Sequence, residues 1–249
     1  MACRMIAIIN ARYLIDLFKP EQSILVWPKN LNLSCSYEDL FALNFFDELV
    51  ETDEQAILPP FEHSEIIVSF SDPLDMGEEK FRYYARQFTP TDLISQKVFT
   101  TCSELRLNKS VIGIHIRRTD MVNEEALFTA SLNLLKDRIR DILEDHSSQR
   151  FFVCSDDKKS EDDLIKEFSP HIVAHQDKEY LIKMNPEAEW RGADVLTDLN
   201  LFRSVSHQAN ALVDLLCLAA TDFQLSNSDI PSNGLRCFSA FAKICRAIS

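Results

Sequence analysis

The second half of the chain alternates between short apolar runs and longer stretches in which apolar residues recur at helical spacing. The short runs predict β-strands at 111–116, 151–154, 171–174 and 223–225. The longer stretches predict helices at 129–144, after the capping box Ser160-x-x-Asp163, at 208–220 and at 235–247. Strands that alternate with helices of this length are typical of parallel βαβ units.

The first third of the chain has a less regular pattern. Helical spacing predicts helices at 6–17, 78–87 and 91–105, the last opening with Thr89 and Pro90. Apolar runs predict strands at 24–27 and 66–70. Ser36 to Asp39 resembles the start of a further helix. We therefore predict an α/β protein with a smaller N-terminal half, 1–107, and a Rossmann-like C-terminal half, 108–249.

Composition narrows the class of partner. The chain has 249 residues and a formal net charge of −13, which argues against nucleic acid or an anionic membrane surface as the main partner. Its seven cysteines form no C-x-x-C pair, which is typical of a reducing cytosol and predicts neither a disulfide framework nor a zinc site. No apolar run approaches the roughly 18 residues of a membrane span. We therefore expect a cytoplasmic protein with no membrane span.

Glycine is scarce in this chain. The only four glycines are Gly77, Gly113, Gly192 and Gly234. This excludes a G-x-G-x-x-G dinucleotide fingerprint and a Walker P-loop, because both need glycines clustered at one turn. A bound nucleotide would therefore depend on side chains more than on a glycine-rich loop.

The predicted strand 111–116 runs into the polar sequence His115-Ile116-Arg117-Arg118-Thr119-Asp120. The carboxyl ends of strands in α/β proteins form the crevice where ligands bind. Arginine is always charged and grips oxyanions with a bidentate fork, so two arginines at such a crevice favour a diphosphate ligand. The alternative is a strand end whose arginines pair with nearby acids.

The same residues resemble the H-x-R-R-x-D motif of α1,6-fucosyltransferases, nodulation fucosyltransferases and the related α1,2- and protein O-fucosyltransferases. Two further blocks are similar to this family in order and spacing. One is the strand 151–157, which ends in Ser-Asp-Asp, and the other is the helix 211–223, which carries an aspartate. Near the start, 27–41 is similar to a segment that such enzymes carry after their first helix.

The resemblance implies roles for the motif residues. Arg117 would bind the β-phosphate of GDP-fucose and stabilise the departing phosphate. His115 and Asp214 would lie near the guanosine. Arg118 and Asp120 would brace the motif loop. The family further implies a GT-B-like fold with two Rossmann-like halves, in which the C-terminal half carries a parallel sheet and binds the nucleotide sugar.

Other implied roles fall on less regular parts of the family pattern. Glu125 matches an acidic residue proposed to help deprotonate the acceptor hydroxyl. A serine that contacts phosphate would be Ser226, Ser228 or Ser232. Arg4 is the residue that remains of the family's glycine-rich sequence Gly-x-Gly-Asn-Arg. The family implies inverting, metal-independent transfer with no cofactor besides the GDP-sugar donor substrate.

Several residues allow a second interpretation. Asp156 and Asp157 fit either a Mg²⁺ site or the first turn of a helix, and the resemblance to a metal-free family favours the helix start. Asp214 stands in an apolar helix, where a carboxylate needs either a ligand or a nearby arginine. The acids at 161–163 are expected on a solvated helix face, and His175 is expected to have no special role.

We expect a glycosyltransferase that moves fucose from GDP-fucose to a hydroxyl of a glycan acceptor. The donor would bind mainly to the C-terminal half and the acceptor to the N-terminal half. The alternatives are a transferase for another GDP-sugar and a non-catalytic domain that binds nucleotide sugars. Met121 favours the second alternative, because the α1,6 enzymes carry lysine directly after the motif aspartate.

Overall fold

The computed structural model describes residues 2–28, 35–42, 46–52, 76–118, 125–185, 201–221 and 224–226. The helices in these ranges are α1 (Ala2–Phe18), α2 (Glu78–Ala85), α3 (Asp92–Glu104), α4 (Glu125–Asp145), α5 (Lys158–Phe168) and α6 (Val205–Ala220). The strands are β1 (Ile24–Pro28), β2 (Glu48–Thr52), β3 (Val111–Ile116), β4 (Arg150–Ser155), β5 (Ile172–Ala174), β6 (Ile182–Lys183), β7 (Leu201–Phe202) and β8 (Gln224–Ser226).

A four-stranded parallel sheet with the order β5-β4-β3-β8 organises the C-terminal half. β3 pairs with β4 along its whole length, from Val111 opposite Arg150 to Ile116 opposite Ser155. Both strands are buried on both faces, which is why they read as continuous apolar runs in the sequence. The predicted parallel α/β arrangement is confirmed.

The two faces of this sheet belong to different hydrophobic cores. Along β4, Phe151 and Val153 lie in a core with α4 and α5, whereas Phe152 and Cys154 lie in a core with α6. Successive side chains of a strand point to opposite faces, so β4 contributes side chains to both cores. The α6 core also includes residues of α1, β1, α2 and α3, and α3 packs directly on α6. The predicted boundary near Leu107 stays a prediction.

The prediction of a helix that starts at Ser36 is wrong within the described residues. Ser36 and Asp39 do form the reciprocal bonds of a capping box, with the Ser36 amide donating to Asp39 Oδ2 at 2.7 Å and the Asp39 amide donating to Ser36 Oγ at 3.1 Å. The chain nevertheless makes only one turn, because Phe41 forms an antiparallel bridge with Pro90. Phe41 is buried, so its tertiary contacts outweigh the local helix signal.

Several helix starts also differ from the prediction, and the caps of three helices show how. The N-cap of α3 is Thr91 and not Thr89. The N-cap of α5 is Asp157, whose side chain accepts from the Ser160 amide, so Ser160 is inside the helix. Helix α6 starts after Ser204, whose hydroxyl accepts from the His207 amide.

Three strands were not predicted. β2 pairs in parallel with β1, and β6 pairs in antiparallel with β7. The predicted strand 66–70 and the predicted helix 235–247 lie outside the described residues. None of the helices that the structure describes is both long enough and apolar enough to span a membrane.

Candidate functional site

Three strands of the parallel sheet end side by side. His115 near the end of β3 pairs with Ser226 on β8, and Ile116 pairs with Ser155 on β4. Because the strands are parallel, their carboxyl ends form one edge, which is where α/β proteins bind ligands. Arg117 and Arg118 follow β3 directly, so the structure places the predicted arginine pair at this edge.

Arg118 is braced by the residues that follow β4. Its backbone amide donates to Asp156 Oδ1 at 3.0 Å, and its guanidinium lies 3.8 Å from Asp157 Oδ2. The guanidinium carbon also lies 4.7 Å from the centroid of the Phe128 ring, in a cation–π contact. Arg117 and Arg118 are both half-buried. These contacts hold Arg118 to the residues that follow β4, and the bracing role that the family resemblance implies for it stays a prediction.

The acidic pair after β4 has protein partners. Asp157 Oδ2 accepts from the Ser160 amide at 2.8 Å and from its hydroxyl at 2.5 Å, which confirms the helix-start interpretation for this residue. The Asp157 amide donates to Ser155 Oγ at 3.1 Å. Within the described ranges, no group of three or more His, Cys, Asp or Glu side chains is arranged to hold a metal ion.

Beside this edge lies a buried cluster of polar side chains, which we call the Lys178 cluster. Its members are Glu161 on α5, His175, Lys178 and Tyr180 in the loop after β5, and Asp214 on α6. Lys178 Nζ donates to Glu161 Oε1 at 2.5 Å and to Asp214 Oδ2 at 2.7 Å. Tyr180 donates to Glu161 Oε2 at 2.6 Å, and His175 Nδ1 lies 3.1 Å from Asp214 Oδ1.

The cluster holds one ammonium for two carboxylates. The side chains of Lys178, Glu161 and Asp214 are 3%, 0% and 7% exposed. Burial raises the pKa of Glu161 to about 7, against the attraction of Lys178. Burial opposes the charge of Asp214 too, but Lys178 and His175 outweigh it and lower the pKa of that carboxyl. The two carboxylates likewise outweigh burial at Lys178 and raise its pKa.

One expectation about this cluster is wrong. Glu161 is fully buried and not on a solvated helix face. His175, for which no special role is expected, has its Nδ1 3.1 Å from Asp214 Oδ1, and its buried Nε2 has no hydrogen-bond partner among the described residues. The sequence signalled that Asp214 needs a partner, yet it gave no sign that the partner is Lys178 rather than an arginine.

The remaining predicted site residues divide into three groups. His115 and Ser226 are buried at the sheet edge, and their roles in binding a donor stay predictions. Arg4 lies in α1 and Glu125 is the first residue of α4. Outside the described residues lie Asp120, Met121, Ser228 and Ser232.

Two of the cavities that the described residues form are large enough to consider as ligand sites. One of about 530 Å³ lies between α1 and α2, and its walls include Tyr13, Tyr83 and Tyr84. The other, of about 250 Å³, lies beside β6 and β7. Neither is lined by Arg117 or Arg118.

No protein-family model matches the chain, and no curated protein matches it by sequence. Solved structures do match. A crystal structure of NodZ α-1,6-fucosyltransferase soaked with GDP-fucose matches 96% of this chain and 87% of its own, with a TM-score of 0.59 and 14% identity. Fucosyltransferase NodZ from Bradyrhizobium matches 74% of this chain at a TM-score of 0.45 and 18% identity. POFUT1 in complex with GDP matches 79% of this chain at a TM-score of 0.39 and 10% identity.

The chain spans about half the length of the last two proteins, 54% and 51% respectively. The NodZ structure soaked with GDP-fucose matches nearly all of this chain, and at 14% identity this match shows a shared fold. The chain is an α/β protein with the fold of the fucosyltransferase NodZ. The predicted α/β fold is confirmed, and the resemblance to fucosyltransferases is confirmed at the level of the fold.

Proposed function

We propose that the protein is a glycosyltransferase that moves fucose from GDP-fucose to a hydroxyl of a glycan acceptor. The observation that carries this proposal is the position of Arg117 and Arg118 at the carboxyl edge of β3, the strand that lies between β4 and β8. Two guanidiniums at that edge suit a diphosphate. The fold shared with NodZ, a fucosyltransferase soaked with GDP-fucose, supports the choice of donor.

In the proposed reaction the acceptor oxygen attacks the anomeric carbon of fucose as the bond to the β-phosphate oxygen breaks. Arg117 stabilises the negative charge that the departing GDP acquires. Glu125 accepts the proton of the acceptor hydroxyl. A single displacement inverts the anomeric centre, and the arginine pair supplies the positive charge that a metal ion supplies in other transferases. Inversion, metal independence and the role of Glu125 are parts of the proposal.

One observation favours a second candidate, a transferase for a different nucleotide sugar. The resemblance places Asp214 near guanosine, but its Oδ2 already accepts from Lys178 and its Oδ1 already contacts His175. The residue is also buried. A donor whose base does not depend on this carboxylate would suit such a site better than GDP.

A thermal-shift panel with GDP, GDP-fucose, GDP-mannose and UDP tests both candidates. A ligand at about 100 times its Kd stabilises the fold by roughly 2.7 kcal/mol. We expect the guanine nucleotides to raise Tm and UDP to leave it unchanged. A shift with UDP alone would refute GDP-fucose as the donor and favour the second candidate.

Substitution of Arg117 tests the role of the arginine pair. We expect Arg117→Ala to abolish turnover of GDP-fucose and to leave Tm almost unchanged, because the proposed role of this guanidinium is to bind the phosphate of the donor. Arg138→Ala, on the exposed surface of α4, is the matched control and should turn over donor like the wild type. Full activity of Arg117→Ala would end the proposal. Donor binding by the wild type without transfer or hydrolysis would instead favour a non-catalytic binding domain. The cytoplasmic location and the glycan acceptor stay predictions.

A further inference from the structure

The position of the arginine pair depends on where β4 ends. The Arg118 amide and guanidinium both contact the aspartates that follow this strand, Asp156 at 3.0 Å and Asp157 at 3.8 Å. A displacement of the chain at Asp156 therefore moves Arg118 and its neighbour Arg117 with it.

Glu161 in turn fixes the end of β4. The Ser155 amide, one residue before Asp156, donates to Glu161 Oε1 at 2.6 Å. A fully buried carboxylate is unfavourable by several kcal/mol unless a positive charge and hydrogen bonds meet it. Lys178 supplies that charge at 2.5 Å, so the Ser155–Glu161 bond depends on Lys178.

Lys178 also contacts a buried carboxylate on α6. Its Nζ contacts Asp214 Oδ2 at 2.7 Å, and its loop is held to β4 by a hydrogen bond from the Leu181 amide to the Asp156 carbonyl at 3.2 Å. One ammonium therefore connects the end of β4, which holds Arg118, to the helix that carries Asp214.

We propose that Lys178 is a positioning residue for the diphosphate site, which acts through Glu161 and the end of β4 to hold the arginine pair in place. This inference rests on the proposed function for the ligand, although the mechanical link to Arg118 is independent of it. Lys178 itself is buried by Glu161 and Asp214 and does not need to touch the donor.

The test is Lys178→Met in the full chain, a substitution that keeps most of the side-chain volume. Hydrogen exchange of individual amides, followed by NMR, is measured without ligand, and GDP affinity is measured by calorimetry. We expect the Arg118 amide to exchange faster by about tenfold, since it loses a well-placed acceptor. The exchange rate of the Ile114 amide, inside β3, should be unchanged. We expect GDP to bind about tenfold more weakly.

Lys136→Met is the matched control. Lys136 Nζ also contacts a carboxylate, Glu167 Oε2 at 2.7 Å, but this ion pair links two helices, α4 and α5. We expect this variant to leave both the exchange of Arg118 and the affinity for GDP unchanged. Should Lys178→Met fail to fold, Glu161→Met is the second variant. It leaves Lys178 and Asp214 as a pair of opposite charges. We again expect the Arg118 amide to exchange faster while the rest of the sheet is unchanged.

The outcomes separate clearly. Unchanged protection of Arg118 in Lys178→Met, or faster exchange spread equally over the whole sheet, overturns the inference. A folded Glu161→Met variant with normal protection of Arg118 overturns it as well. If the wild type binds no GDP while Arg118 is still selectively released, the positioning link stands and the proposed function fails.

Discussion

Glutamine in place of Glu161 tests the electrostatics of the Lys178 cluster through the pH dependence of stability. The pKa of this carboxyl is raised by burial from 4.5 to about 7 in the folded protein, so the folded state binds its proton more tightly than the unfolded state. Stability that depends on this proton is therefore present at low pH and is lost as the pH rises from about 4.5 through 7. With ~1.4 kcal/mol for each pH unit in this window, the loss reaches about 3 kcal/mol.

The assay is urea unfolding of the wild type and of Glu161→Gln at pH 5, 6, 7 and 8. The quantity of interest is the difference between their free energies of unfolding, because other groups that titrate in this window cancel in it. One such group is His207, whose pKa is lowered by burial. We expect the wild type to lose up to about 3 kcal/mol relative to the variant between pH 5 and 8. Glu144→Gln, on an exposed position of α4, is the control and should give a constant difference.

The sign of the result decides between two forces on Glu161. If burial dominates, the wild type loses stability relative to Glu161→Gln as the pH rises. If the attraction of Lys178 and the donors Ser155 and Tyr180 dominate, the carboxylate is favoured at neutral pH and the difference increases with pH instead. An increase of that kind would refute the dominance of burial at Glu161.

Two further predictions concern packing and thiol chemistry. The Sγ atoms of Cys102 on α3 and Cys217 on α6 lie 3.8 Å apart, and the hydrogen bond between the two thiols lowers the pKa of the partly exposed Cys102. We expect diamide to take up two electrons and two protons from this pair and to leave a disulfide between α3 and α6, seen by mass spectrometry as one cross-linked peptide. Its absence, or its persistence in Cys217→Ser, would contradict this. Phe152→Ala should destabilise the fold by about 3–5 kcal/mol in urea unfolding, because the side chain is fully buried in the α6 core. A loss below about 1 kcal/mol would show that the core collapses around the gap.

The parts of the fold that the sequence predicted are those in which the local pattern and the tertiary environment agree. The apolar runs of β3 and β4 are buried on both faces, so their hydrophobicity is visible without the rest of the structure. The arginine pair was placed correctly at the strand edge because the end of an apolar run marks the end of a strand. The turn at Ser36 shows the limit, since its capping box is present and only the bridge of Phe41 to Pro90 prevents a helix.

The Lys178 cluster was missed for a different reason. Its three charged members come from α5, the loop after β5 and α6, and no local spacing links them. Glu161 sits in an acidic run, which usually marks a solvated face, and Lys178 sits in a polar loop. Only Asp214 carried a signal, because a carboxylate among leucines needs a partner. The two-residue strands β6 and β7 were missed because they are too short to produce a period.

The shared ammonium also restricts how this chain can change over evolutionary time. Loss of Lys178 alone leaves two buried acids without the ammonium that both contact, whereas loss of either acid alone leaves one ammonium and one carboxylate. The permitted order of substitution is thus an acid first and the lysine later. Relatives that lack the lysine should accordingly lack at least one of the two acids, and intermediates that keep both should be rare.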